Sequence, residues 1–136
     1  MIFKDKITIN SSKRTEIIDI TSKIQLAIDE CNIKNGIINV FSKHSTSAIV
    51  VNENEQGLLI DIEKILKDLI PNDNSYNHDM IDNNADSHLR SFLLGSSESI
   101  PINNKKLAFG TWQSIFFIEL DGPRNNRTIE LTIIGE

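Results

Sequence analysis

Apolar and polar residues alternate through residues 2–10, IFKDKITIN, the period-two pattern of a half-buried strand. Residues 14–20, RTEIIDI, are expected to form its hairpin partner, with Asn10 to Lys13 as the turn. The period then lengthens. Thr21 is placed to cap a helix, and behind it Ile24, Ala27, Ile28 and Cys31 fall at i, i+3, i+4 and i+7, one helical face. Cys31 on that face reads as a core residue, not a nucleophile. Asn35-Gly36 stops the helix. Two apolar runs follow, IINVF at 37–41 and AIVVN at 48–52, each short enough to be a buried strand. A second helix is expected over 56–70. Its stripe is Leu58, Leu59, Ile62, Ile65, Leu66 and Leu69, and Pro71 closes it.

The longest polar stretch is PNDNSYNHDMIDNN at 71–84, and long loops in compact domains often carry function. A short helix should follow, capped by Asn84, with Leu89, Phe92 and Leu93 inward and Gly95 as its stop. The last third predicts strands over 97–102, 106–109, 111–120 and 127–134. In the last of these Ile129, Leu131 and Ile133 alternate with Thr128, Glu130 and Thr132. DGPRNN at 121–126 supplies the turn before it. Mostly antiparallel strands with helices outside predict an α+β fold, a single domain over residues 1–136.

Composition narrows the function classes. The formal net charge is −5 and the basic residues are scattered, which argues against a nucleic-acid partner. One Trp and one Tyr are too few for a base-stacking platform. No apolar run approaches a membrane span, and the start does not read as a secretory leader. A cytoplasmic protein is the default expectation, and a lone cysteine, which cannot form an internal disulfide, fits it.

Three histidines carry the candidate chemistry. His44 opens HSTSAIVVNEN (44–54), His78 precedes Asp79 in the polar loop, and His88 lies one helical turn after Asn84. Asp86 and Arg90 share the same i, i+4 spacing and are placed to pair. Three imidazoles can hold a metal such as Zn²⁺ with a position open for water, or act as acids and bases near neutral pH. More often such residues are hydrogen-bonded surface groups. GTWQ at 110–113 offers a flat apolar wall, Trp112, between two hydrogen-bonding side chains, Thr111 and Gln113. The commoner role for such a Trp is in the core. Arg124 suits a carboxylate or phosphate. No Walker A, GxGxxG or nucleophile-elbow motif is present.

Taken in order, HSTSA at 44–48, NEN at 52–54, Y-x-H-D at 76–79, SHLR at 87–90, LGSS at 94–97, GTWQ at 110–113 and DGPR at 121–124 resemble the YjbQ family. That family is also called the secondary thiamine-phosphate synthase family. The resemblance spans nearly the whole chain, and GTWQ at its distance from the S-x-x-[ILV]-P segment is its most specific part. It implies a compact α+β subunit containing a β-sandwich, assembled as a homotrimer, with clefts near subunit interfaces. Two departures stand out. The family commonly reads H-T-[ST]-A where this chain has His44, Ser45, Thr46 and Ser47. It usually has Gly five residues before GTWQ, where this chain has Lys105, so Asn103 or Asn104 is expected to supply positive φ there.

The resemblance implies joining of hydroxymethylpyrimidine diphosphate to a thiazole phosphate, with release of diphosphate. Under it, His44, His88 and Glu53 are the catalytic candidates. Asn52, Arg90, Thr111, Trp112, Gln113 and Arg124 are the substrate-binding candidates. Mg²⁺ would accompany the diphosphate, with Glu53 or Asp79 helping to hold it. The rival readings are a metal-dependent hydrolase using His44, His78 and His88, and a non-catalytic trimeric small-molecule binding protein. Eight strand residues span roughly 26 Å. Asn52 and Glu53 are therefore expected to reach His44 only through a bend or a neighbouring subunit.

Overall fold

The computed structural model describes all of residues 1–136. Eight strands form two antiparallel sheets. The larger has the order β1 (Ile2–Ile9), β8 (Arg127–Gly135), β3 (Gly36–Ser42), β5 (Ser97–Asn103), β6 (Lys106–Leu107). The smaller has β2 (Glu16–Asp19), β7 (Ser114–Glu119), β4 (Ser47–Asn52). Four helices complete the chain: α1 (Thr21–Glu30), α2 (Gln56–Leu69), α3 (Asp79–Asp82) and α4 (Ala85–Leu94). The α+β expectation holds. No helix is long and apolar enough to cross a membrane.

The main core lies between the sheets. Ile38 and Val40 of β3 and Ile129, Leu131 and Ile133 of β8 meet Ile49 of β4 and Ile115 and Phe117 of β7 there. The apolar face of α1, Cys31 included, closes the same core. The small sheet is covered on its other side too, where Ala48, Phe116, Ile118 and Leu120 pack with Leu66 of α2. Strand β7 is thus apolar on both faces, which explains its unbroken run IFFI.

Several sequence expectations change. β1 does not form a hairpin with β2: it pairs with β8, and β2 pairs with β7. The chain crosses from one sheet to the other at Asn10–Thr15, because both strands must turn an apolar face to the core between the sheets. Thr21 is the first helical residue, not the cap, and its hydroxyl accepts a hydrogen bond from Ile115 N–H at 3.0 Å. The stripe of α2 is buried only at Leu66, with Leu59 and Ile62 packed beside it and Ile65 and Leu69 exposed.

The largest reversal is α4. Leu89, Phe92 and Leu93 point outward, while Ala85, Asp86, Ser87, Arg90 and Ser91 are buried. Hydrogen bonds do the docking. Ser87 Oγ donates to Leu120 O at 2.5 Å and Ser91 Oγ to Ser47 O at 2.6 Å. Asp86 pairs with Arg14 at 2.9 Å. Asn84 stands at the N-cap position but supplies no capping bond; Asp79 Oδ1 accepts the Ala85 N–H instead, at 3.0 Å. In the β5–β6 hairpin both Asn104 (φ 50°) and Lys105 (φ 64°) are left-handed, as a two-residue turn of this type requires. A lysine therefore takes a conformation that glycine adopts more readily.

Candidate functional site

The clearest opening is a cleft of about 540 Å³ between the β3–β4 connection and α4. Ser42, His44, Ser45, His88, Ser91 and Ser96 line it, with Phe41 and Phe92 at its sides. No aspartate or glutamate lines it, in a chain that carries 19 acidic residues. The cleft is rich in hydrogen-bond donors, with one lysine, Lys43, held 3.4 Å from Glu130.

His44 is placed by long-range contacts. Thr128 of β8 donates its backbone N–H to His44 Nε2 at 2.9 Å. Ser47 Oγ donates to His44 O at 3.2 Å and lies 2.5 Å from Ser42 Oγ, tying the turn together. Burial, followed by the charge of nearby Arg127, holds the imidazole below its ordinary pKa, with Glu119 opposing. Beneath it, Arg127 Nε donates to Glu119 Oε1 at 2.9 Å, and Arg127 Nη2 donates to Glu119 Oε2 and to Thr46 Oγ1. Ser11 Oγ also donates to Glu119, at 2.7 Å. Burial raises the Glu119 carboxyl, but the bonds from Arg127, Ser11 and the Asp121 N–H outweigh it and leave the pKa lowered.

His78 and His88 meet edge to face, with ring centroids 4.8 Å apart. Behind them runs a chain of polar groups. Asn84 Nδ2 donates to Asp121 Oδ2 at 2.9 Å, and Asn84 Oδ1 lies 3.0 Å from His78 Nε2. An amide that donates to a carboxylate must turn its oxygen to the ring, so His78 carries its proton on Nε2. Arg124 closes the chain on Asp121 at 2.9 Å. Neither Asn84 as an orienting group nor Asp121 was singled out by sequence. The signal available was only the spacing of Asn84 and His88, and their shared face serves His78 and Asp121 instead.

The other candidates fall elsewhere. Arg90 is 1% exposed; it donates to Ile70 O and Asn72 Oδ1 at 2.6 and 2.7 Å and pairs with Asp86. Its guanidinium holds the end of α2 to α4 and reaches no cleft, so the substrate-binding assignment has no geometric support. The pairing of Asp86 with Arg90 holds as an ion contact at 3.3 Å, although Asp86 Oδ2 receives no well-directed hydrogen bond. Asn52, Glu53, Thr111, Trp112 and Gln113 gather at the far end of the β4–β7 pair. Asn52 there pairs with Ser114, and Gln113 Oε1 accepts the Gly110 N–H to close the turn. Trp112 is 73% exposed and so is not a core residue. The six residues of β4 put roughly 17 Å between this end and the histidine cleft. As the chain length suggested, one subunit does not bring the two groups together.

Metal ligation fits poorly within the subunit. No three His, Cys, Asp or Glu side chains converge at ligand spacing. The Nε2 lone pair of His44 is taken by Thr128, Asp79 caps α4, and Glu53 lies at the opposite end. No step is assigned to Mg²⁺ or Zn²⁺ on this geometry.

Residues 5–136 match the family described as UPF0047 protein YjbQ-like. A UPF0047 protein of Methanothermobacter thermautotrophicus is 53% identical over 99% of this chain and 94% of its own length. YugU of Bacillus subtilis, also a UPF0047 protein, is 33% identical over 93% of this chain and 96% of its own. Among solved structures, a YbjQ-like protein of unknown function from Sulfolobus solfataricus superposes with TM-score 0.97 at 41% identity, covering 100% and 99% of the two chains. A hypothetical protein from Aeropyrum pernix gives TM-score 0.94 at 34% identity, covering 98% and 99%.

Proposed function

The chain belongs to the UPF0047 YjbQ-like family, and from that premise we propose that it is a transferase of the thiamine-phosphate synthase type, working at a site shared between copies in a homotrimer. The observation that carries this reading is the separation of two complementary half-sites along β4 and β7. One end offers donors without carboxylates, suited to a phosphorylated group. The other offers an exposed Trp112 two residues before Ser114, the strand partner of Asn52, suited to a flat heteroaromatic ring with polar edges. Neither half alone surrounds a two-part substrate.

In the proposed reaction the bond between the pyrimidine methylene carbon and the diphosphate oxygen breaks, and its electron pair leaves with the diphosphate. The thiazole nitrogen donates its lone pair to that carbon, forming the new C–N bond. The chain's contribution is to hold the two rings in line and to offer N–H and O–H donors to oxygens on which negative charge collects. The His88 imidazole lines the cleft, makes no hydrogen bond to protein and is free to meet the ligand. A second reading, a binding protein without turnover, is favoured by a cleft lining with no carboxylate to share a cation with diphosphate.

The test is synthesis of thiamine phosphate from the two phosphorylated precursors, followed by mass spectrometry. His88→Ala and Glu53→Gln should each abolish it. Mixing the two variants after subunit exchange should restore roughly one quarter of wild-type sites, the share random assortment assigns to interfaces with both halves intact. Product from wild type but none from the mixture would confine the site to one subunit. No product from wild type, with the precursors bound intact, would leave the binding-protein reading.

A further inference from the structure

Among the donors of the histidine cleft with no acceptor in the protein are the Nδ1 side of His44 and the backbone N–H groups of Ser45 and Ser96. The state of His44 follows from its other nitrogen. Thr128 N–H is a backbone donor and cannot accept, so His44 Nε2 must present a lone pair to it at 2.9 Å. A neutral imidazole with a lone pair on Nε2 carries its proton on Nδ1. A cationic ring would put two N–H groups against each other. A ring bound to a metal through Nδ1 would have to lose its only proton.

We infer that His44 is a fixed neutral donor, presenting Nδ1–H to an oxyanion of the ligand, and that it is neither a general base nor a metal ligand. The oxyanion class is the one a cleft with serine hydroxyls, free backbone N–H groups and no carboxylate would select: a phosphoryl or similar tetrahedral group. The inference deepens the proposed function, resting on its reading of this cleft as the phosphate end. The lowered pKa of His44 agrees with it. The backbone of β8 acts here as a positioning group, since Thr128 sets the proton without touching the ligand.

The experiment is two-bond proton–nitrogen correlation NMR on the full chain, with inorganic phosphate as the probe. At pH 7 His44 should show a protonated Nδ1 and an unprotonated Nε2, and phosphate should shift the Nδ1 signal. A protonated Nε2, or a cationic ring at that pH, would overturn the assignment. An Nδ1–H that saturating phosphate leaves unmoved would overturn the oxyanion role. Two variants supply a second readout. Asparagine places an amide N–H near the position of Nδ1, and glutamine places it near Nε2. His44→Asn should weaken phosphate binding by about threefold or less, and His44→Gln by about tenfold or more, the worth of a hydrogen bond to a charged group. Equal losses would refute a donor at Nδ1. Because no readout needs turnover, failure of the synthase assay would leave this result standing.

Discussion

Glu119 and His44 show how single residues near the cleft depend on distant partners. Glu119 is fully buried, and its carboxylate is tied to Arg127 and Ser11. Removing one partner of such a pair strands the other charge, so Glu119→Gln should cost about 3–5 kcal/mol of stability in urea unfolding. His44 gives a pH signature. Its folded pKa lies below 6.5, so between the two values the unfolded chain binds the extra proton. Stability is therefore full above pH 6.5 and falls as pH drops from there through the folded pKa. The urea midpoint of wild type should decline in that window more than that of His44→Asn. Sequence placed His44 in a site but did not reveal its protonation, because Thr128 lies 84 residues away in the chain. The sequence around Trp112 fits a core residue as well as an exposed one, and only the fold leaves it in solvent.

At the level of elements, the alternations of β1 and β8 were legible because an alternating strand has one buried face wherever it pairs. Pairing partners were not, since periodicity says nothing about which strand lies beside which. Helix α4 was read inside out for a related reason. A stripe of Leu89, Phe92 and Leu93 identifies an amphipathic helix, but not whether its own subunit covers the stripe. Phe92 is 88% exposed. Its replacement by serine should change monomer stability by no more than about 0.5 kcal/mol. If α4 forms part of the proposed trimer contact, the same change should lower the mass seen by light scattering. Gly36 answers to packing. A Cβ there would lie 2.0 Å from Ile134 O, so Gly36→Ala must push β3 from β8. A loss of about 2 kcal/mol or more is expected in the same unfolding assay.

For the whole molecule, the β4–β7 pair works as a beam with the histidine cleft at one end and Trp112 at the other, and two of the uncovered apolar surfaces stand out. One is the outer face of α4. The other is a row across three strands of the large sheet, Ile2, Ile134 and Ile37 in register. Both are consistent with an assembly that closes the site. The polar docking of α4 has a thermodynamic consequence of its own. Heat capacity rises on opening mainly with the apolar surface exposed, and denaturant sensitivity with the total. The buried side of α4 is largely serine, aspartate and arginine, so its local undocking should carry a small heat-capacity change and a shallow urea dependence. Its amides should exchange through an opening whose free energy stays nearly flat between cold and warm, while those of β3 and β8 follow the curved profile of an apolar core. The helix that carries His88 would then hold its place about equally well across the temperatures at which the rest of the fold gains and loses grip.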